Sequence, residues 1–324
     1  MYLTLLPQSS EPELKTNSKK QNMEVENLLK RYEKGERDFA GVDLQGADLS
    51  GVTLIDVNLS GANLMGANLS RAFLTKSNLS DAYLNWANLS YVKFSEGTFT
   101  DADLTKATIC GAFLVKSNLE KAKLSGANLT GTNLRNTNLQ RVNLCGANLT
   151  DANLRNANLR RANLNWANLA GARLSGADLE GAFLNGVNLS KAFLNGVELD
   201  GVDLNGVDLS QAKLSAVNLQ NANLIAANFQ QAKLRGGSLV GANLAGCDLR
   251  AALLIKANLN WTNLTQADFT GADLSEAHLV GAKIEGADFT DVKLPEDTRR
   301  YLSLIATGIT VWSKKETKET LIIK

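Results

Sequence analysis

The sequence is short of the residues that most chemistry needs. Histidine occurs once, at His278, and cysteine three times, at Cys110, Cys145 and Cys247. A single imidazole with no third group directed at it leaves no Ser–His or Cys–His pair for nucleophilic catalysis. The three cysteines lack metal-ligand spacing and do not suggest disulfide pairing, which fits a reducing, cytoplasmic setting. No phosphate-binding loop or GxGxxG follows a strand–helix pattern, and the glycine-rich calcium nonapeptide is missing. A flat threonine array for binding ice is missing as well. No enzyme activity and no cofactor are therefore expected. Aromatics make up 6% of the chain and proline only three residues, which suits a narrow solenoid better than a broad globular core. No apolar run approaches the ~20 residues of a spanning helix. The first residues, MYLTLLPQSSEPEL, have no basic region and are interrupted by Pro7, so a secretory signal is not expected. The formal charge of +1 carries no global bias toward nucleic acid or anionic membrane.

What the chain has is one repeat. From Phe39 to Leu294, every fifth residue is Leu, Phe or Ile, through 52 pentads without insertion or deletion. Two positions earlier sits a small residue, Ala in 32 pentads and Val in 11. The position between is Asn or Asp in 33 pentads, and Gly often closes the unit. A helix turns about 500° in five residues and would smear the Leu set around its cylinder. A chain that turns a corner every five residues keeps register. The small residue and the Leu, two apart, then share the inner side of a short extended segment, and the residue between them points out. The last two residues make the corner, where Gly tolerates positive φ.

Four corners close a coil of 20 residues, and coils stack at about 4.8 Å. Fifty-two pentads give about 13 coils, a rod of roughly 60 Å. Each Leu would stack on the Leu one coil away, and its burial contributes on the order of 1.5–3 kcal/mol before entropy. The inner partner stays small because overpacking a narrow square costs about 1–3 kcal/mol. An all-β solenoid is thus expected, as one elongated domain.

Units such as Ala147-Asn148-Leu149-Thr150 and Ala177-Asp178-Leu179-Glu180 resemble the pentapeptide-repeat family over about four fifths of the chain. The resemblance implies a right-handed quadrilateral β-helix. About function it implies little. Many members, abundant in cyanobacteria, have no assigned activity. One branch is similar to duplex DNA in shape and charge and binds DNA gyrase, in some cases as dimers joined at the C-terminal end.

Residues 1–21 are polar and are expected to be a disordered tail. Over 22–36 the spacing of Val25, Leu28, Leu29 and Tyr32 predicts a helix ending near Gly35. It is read as a cap on the exposed edge of the first coil, with a partner-docking helix as the alternative. The repeat occupies 37–294. Arg37, a charge at an inward site, marks an imperfect first pentad, and Gly97 and Gly236-Gly237 mark local irregularities. Repeated tracts, LNGV at 184–187, 194–197 and 204–207 and NWAN at 85–88 and 165–168, suggest internal duplication. Residues 295–312 are expected to form a C-terminal cap. Their apolar set, Leu302, Leu304, Ile305, Ile309, Val311 and Trp312, is alternatively a homodimer surface. Residues 313–324 read as a flexible tail.

Positions 20 apart fall in one column. One outward column is acidic toward its end, with Asp208, Asp248, Asp268 and Asp288. Its neighbour holds Phe73, Lys93, Phe113, Arg173, Phe193 and Lys213, and these six are the candidate protein-interaction residues. The three Phe are not in adjacent coils, so one continuous patch is not expected. Trp86 and Trp166 share a corner column. A corner strip of Lys121, Arg141 and Arg161 spans three successive coils. Residues 120–173 carry eight basic and two acidic side chains, and 174–212 carry six acidic and one basic. Drift of solvated positions would explain these patterns, as would a partner groove with Phe anchors and flanking charge. The function expected is a non-enzymatic rod that binds an unidentified protein. The alternative is a DNA-mimicking regulator of a type II topoisomerase, which a near-even balance of 34 basic and 33 acidic residues does not favour. Nucleic acid and membrane are not expected as partners.

Overall fold

The computed structural model describes residues 24–322. The proposed tail at 1–21, and the first two residues of the N-terminal helix segment, lie outside them. Helix α1 spans 24–33. It buries Val25 and Leu28 against the solenoid core, with Leu29 and Tyr32 packed beside them. The Tyr32 hydroxyl accepts from Ile55 N at 3.1 Å, which ties the helix to the last corner of the first coil. Arg37 is exposed, not inward. Its guanidinium lies 4.0 Å over the Tyr32 ring and donates to the Tyr32 and Glu36 carbonyls.

From Phe39 onward each pentad contributes one residue to a parallel bridge, and every such bridge joins residues 20 apart, from Asp38–Asn58 to Asp273–Lys293. The pentads therefore form four sides. Sides 1, 2, 3 and 4 carry positions 38, 43, 48 and 53, each continued in steps of 20. Leu and small residues alternate inward and are almost wholly buried along the whole length. The second corner residue has positive φ whether it is Gly, as at Gly41 (66°), or Trp, as at Trp86 (63°). Gly is thus the least strained corner residue, and Asn, Asp and Lys are tolerated there.

The Asn column has a physical reason that spacing alone did not reveal. Asn58 Oδ1 accepts from Ser60 N, two residues on, and so caps the turn that follows it. Its neighbour one coil on, Asn78, donates Nδ2 to that same Oδ1 at 3.2 Å. Asn can accept and donate, whereas Asp can only accept. Inward Ser and Thr are also satisfied. Ser77 Oγ donates to Leu54 O at 2.9 Å, and Thr132 Oγ1 to Ile109 O at 2.7 Å. Gly97 makes room for two Phe. A Cβ there would lie 2.5 Å from the Phe94 ring, which stacks on Phe99 with centroids 4.0 Å apart.

Among the described residues the ladder is interrupted at one level. Bridges are missing between Asp178 and Glu198 and between Phe183 and Asp203, while sides 3 and 4 stay paired there. The N–H groups of Leu179, Gly181, Leu184 and Gly186 do not reach the carbonyls of Glu198, Asp200, Asp203 and Asn205, although the levels above and below make all the equivalent bonds. Carboxylates stack on both edges of this seam. Asp178 and Glu180 turn one way, to Arg160, and Glu198 and Asp200 turn the other way, to Asn218 and Asn221.

Beyond Leu294, α2 (Glu296–Ile305) starts at Pro295 with Glu296 and Asp297 in its first turn, where the helix dipole favours acid. It buries Leu302, and Arg299 donates to the Leu321 and Val292 carbonyls. The segment after it is packed, not loose as its composition suggested. Ile309 and Glu316 form an antiparallel bridge, and α3 (Thr317–Thr320) buries Thr317 and Thr320. Thr320 Oγ1 accepts from Phe289 N, and Leu321 is 2% exposed. Short polar side chains that pair with the last coil's backbone hold this segment where apolar periodicity gave no signal. No helix among the described residues is long and apolar enough to cross a membrane.

Candidate functional site

Side 4 departs from the pattern of the other three. Only three of its thirteen outward positions are Asn or Asp, against thirty of thirty-nine on the others. All six candidate residues fall on it, and parallel bridges join Phe73 to Lys93, Lys93 to Phe113, Arg173 to Phe193, and Phe193 to Lys213. The ammonium of Lys93 lies 3.3 Å from the Phe113 ring centroid. Phe193 is held between Lys213, at 4.0 Å, and Arg173, at 5.7 Å. Phe73 and Phe113 are 45% and 40% exposed, but Phe193 is half-buried under its two cations. A cation over an aromatic face contributes about 0.5–1 kcal/mol when exposed, so these stacks stand as ordered pairs.

Phe113 and Phe193 are four coils apart, yet they line one recess of about 570 Å³ with Asn133, Asn153 and Arg173. The separation that argued against a continuous patch is bridged by small neighbours. Gly131 and Gly171 hold the corner, and the two Asn form a floor lower than the rings. Asn133 Oδ1 and Asn153 Oδ1 cap the Arg135 and Arg155 amides, both at 3.3 Å. Neither Nδ2 has an acceptor within the described chain, so two donors are left for a ligand. Asn133 and Asn153 were not singled out from the sequence, because they look like every other Asn of the repeat. Their different surroundings are visible only once the columns are aligned.

The other features noted in sequence are scattered. Trp86 and Trp166 are well exposed on the corner between sides 2 and 3, with Lys106 over Trp86 at 4.5 Å. Lys121, Arg141 and Arg161 sit on the corner between sides 1 and 2, away from side 4. His278 is outward on side 1. The thiol of Cys247 is buried and donates to Leu224 O, and burial pushes its pKa up to about 12, so it is chemically quiet. No group of three His, Cys, Asp or Glu among the described residues is disposed to hold a metal.

The family model for pentapeptide repeats matches in successive windows that together run from residue 38 to 291. Solved structures resemble the chain as well. HetL of the cyanobacterium Nostoc sp. strain PCC 7120, a pentapeptide repeat protein involved in heterocyst differentiation regulation, is 32% identical over 80% of this chain and 94% of its own, with a TM-score of 0.34. A pentapeptide repeat protein of the Arabidopsis thaliana thylakoid lumen is 39% identical over 38% of this chain and 89% of its own, at 0.25. QnrB1, a plasmid-mediated fluoroquinolone resistance protein, is 17% identical over 59% and 89%, at 0.42. Among curated proteins nothing matches. The 20-residue register of the bridges and the family match agree, and the chain belongs to the pentapeptide-repeat family, with its right-handed β-helical solenoid.

Proposed function

We infer that this is a non-enzymatic interaction rod of about 13 coils, closed at one end by α1 and at the other by residues 295–322, and that it binds a protein through side 4. The observation that carries this is the replacement of the Asn and Asp of the other sides by Phe, Lys and Arg on that side. In the Asn-rich columns the side chains cap their own turns, and several amides also donate to the neighbouring coil, as Asn78 does to Asn58 and Asn158 to Asn138. A column of exposed rings under cations gives up those bonds and offers anchors instead. The three free thiols, Cys110, Cys145 and Cys247, fit a cytoplasmic location. The test is affinity capture with the full chain and with Phe73→Ala/Phe113→Ala/Phe193→Ala. Loss of specific partners is expected, and undiminished retention would remove side 4 from the reading.

The C-terminal end supports a second contact. Leu304 is 85% exposed, and Ile309 and Ile322 are 63% and 69% exposed. We infer a homodimer joined there, with Leu304→Glu expected to shift sedimentation to monomer. The topoisomerase-regulator reading requires a densely acidic surface, which side 4 opposes. Inhibition of gyrase supercoiling by the purified chain would restore it.

A further inference from the structure

Side 4 and the two corner rows that border it form one strip, and its charge is strongly one-sided. Between the coil of residue 71 and that of residue 236, the strip holds eleven Lys and Arg but only two acids, Glu96 and Asp151. The other sides of the same coils hold six basic and ten acidic residues. The total charge of +1 conceals this, because the strip is discontinuous in sequence and appears only when columns 20 apart are stacked. Eight coil steps at about 4.8 Å give a strip of roughly 40 Å.

The cations have no acidic partners. Among the described residues, ion pairs join Arg160 to Asp178 and Glu180, Arg250 to Asp248 and Asp268, Lys256 to Glu276, and Lys293 to Asp273. The remaining pairs lie in α1 and its turn and in α2. None involves a cation of the strip, neither Lys93, Arg173, Lys213 and Lys233 on the side nor Arg135 and Arg155 on its corner. Elsewhere on the rod several acid–base neighbours pair, as Arg160 does with Asp178 and Lys256 with Glu276. On the strip no cation is held in an ion pair, and only two acids stand among eleven bases.

We propose that this strip binds an extended, acidic polypeptide segment lying along the rod axis, with its carboxylates on the two flanking rows and an apolar side chain seated between Phe113 and Phe193. The proposal rests on the reading of side 4 as a protein-binding face and names the chemistry of the occupant. The free Nδ2 donors of Asn133 and Asn153 on the recess floor meet its backbone carbonyls or carboxylates. Arg173 closes one end of the recess, and Lys93, stacked on Phe113, lies past the other.

Two observations favour a polypeptide over nucleic acid. Base stacking needs a bare ring face, and Phe193 lies between Lys213 and Arg173 while Lys93 occupies one face of Phe113. Asp151 lines the recess and Glu96 lies in the strip, where a continuous polyphosphate would meet both. A peptide can place its carboxylates to avoid them. Charge on this scale raises the association rate and makes binding weaken with salt.

The test uses the full chain and a fluorescein-labelled 12-residue peptide of Glu and Ser with two central Leu, read by fluorescence anisotropy. Parallel arms use the same peptide with Lys for Glu, a 12-nucleotide single strand of DNA, and vesicles containing phosphatidylserine. Binding of the acidic peptide alone is expected, weakening on the order of 10-fold between 0.05 and 0.3 M salt. Lys213→Glu/Lys233→Glu should weaken it at least about 10-fold. Lys121→Glu/Arg141→Glu, off the strip, should change it less than about twofold. Circular dichroism of each variant monitors folding. Tighter binding of DNA or vesicles than of the peptide, or peptide binding equal in both variants, overturns the proposal. If the triple Phe variant loses its captured partners but the acidic peptide does not bind, side 4 stands and the acidic occupant falls. If neither responds, both fall.

Discussion

The seam between the coils of residues 178 and 198 should tighten when two side chains are changed. Relative to the levels above and below, it lacks eight backbone hydrogen bonds, among them those from Leu179 to Glu198 and from Leu184 to Asp203. At about 0.5–1.5 kcal/mol net each, the missing pairing amounts to roughly 4–12 kcal/mol of local stability. Two causes meet here. Asp178 stacks toward Glu198 and Glu180 toward Asp200, and two unit charges about 4.8 Å apart in water repel by about 1 kcal/mol per pair. Val197 and Val202 sit inward where Ala177 and Ala182 lie one coil before, and added methyls in a narrow core cost about 1–3 kcal/mol. The acids leaning away from each other make the electrostatic part directly testable. Glu198→Asn/Asp200→Gln removes both repulsions, and the new Asn can donate to Asp178 as Asn58 donates to Asp38 at 2.8 Å. Hydrogen exchange is the assay. In the unaltered chain, the amides of Leu179 and Leu184 should exchange at least about 1,000-fold faster than those of Leu159 and Leu219, the lower bound of 4 kcal/mol expressed as a rate. In the double variant, or in 1 M salt, their protection should rise by about 30-fold, matching about 2 kcal/mol of relieved repulsion. Equal protection at all four leucines in the unaltered chain would show that there is no seam. Unchanged exchange in both the variant and high salt would place its cause in Val197 and Val202 instead.

Further predictions concern the core, the C-terminal segment and the thiols. Leu149 is fully buried, so Leu149→Asp, which buries an unpaired charge, should destabilise by more than about 4 kcal/mol in chemical denaturation. Asn148→Asp keeps the oxygen that accepts from Thr150 N and Oγ1, and its column neighbours Asn128 and Asn168 are neutral, so its loss should stay below about 1 kcal/mol. Similar losses at both would contradict the inward and outward assignment. Asp288 is fully buried. Burial alone would raise its pKa, but hydrogen bonds from Ser313, Thr290 and Thr310 outweigh it and hold the carboxyl below its ordinary value. A depressed carboxyl stabilises above its unfolded pKa of about 3.9, and that contribution is lost as pH falls through the folded value. Trp312, whose indole donates to Gln266 O, should therefore report loosening of the C-terminal segment at acid pH, ahead of the coils; a Trp312 signal that changes only with the coil transition would refute this. In thiol titration of the folded chain, Cys110 and Cys145 should react while Cys247 stays inert until unfolding; three equivalents before unfolding would contradict its buried, high-pKa state.

The core of this fold could be read from the sequence because the pentad confines Leu149 and its equivalents to a single environment. Once every fifth residue is known to point inward, the 20-residue register follows, and the bridges show it. The C-terminal segment could not be read in this way. Its packing rests on particular polar contacts, such as Thr310 to Asp288 and Arg299 to Leu321, and these carry no periodicity. Side 4 lies between the two cases. Its column was visible in sequence, but Phe113 and Phe193 looked isolated because distance along a column says nothing of the height of what lies between. Asn133, Asn153 and two corner glycines lower the floor and make the three intervening coils a recess instead of a gap. The net charge misled for a related reason. In a globular core, neighbours in sequence often share a surface. In this coil, residues five apart face different sides, and residues 20 apart face the same one. Local charge runs along such a chain are averages over four unrelated surfaces. The segment of residues 120–173, read as one basic block, divides between side 4, where Arg135, Arg155 and Arg173 have no acidic partner, and the opposite edge, where Arg160 is held by Asp178 and Glu180. For a solenoid of this kind, electrostatic arguments become physical only after the sequence is rewritten at its coil period, and it is in that rewriting that a chain of nearly zero net charge acquires a basic face.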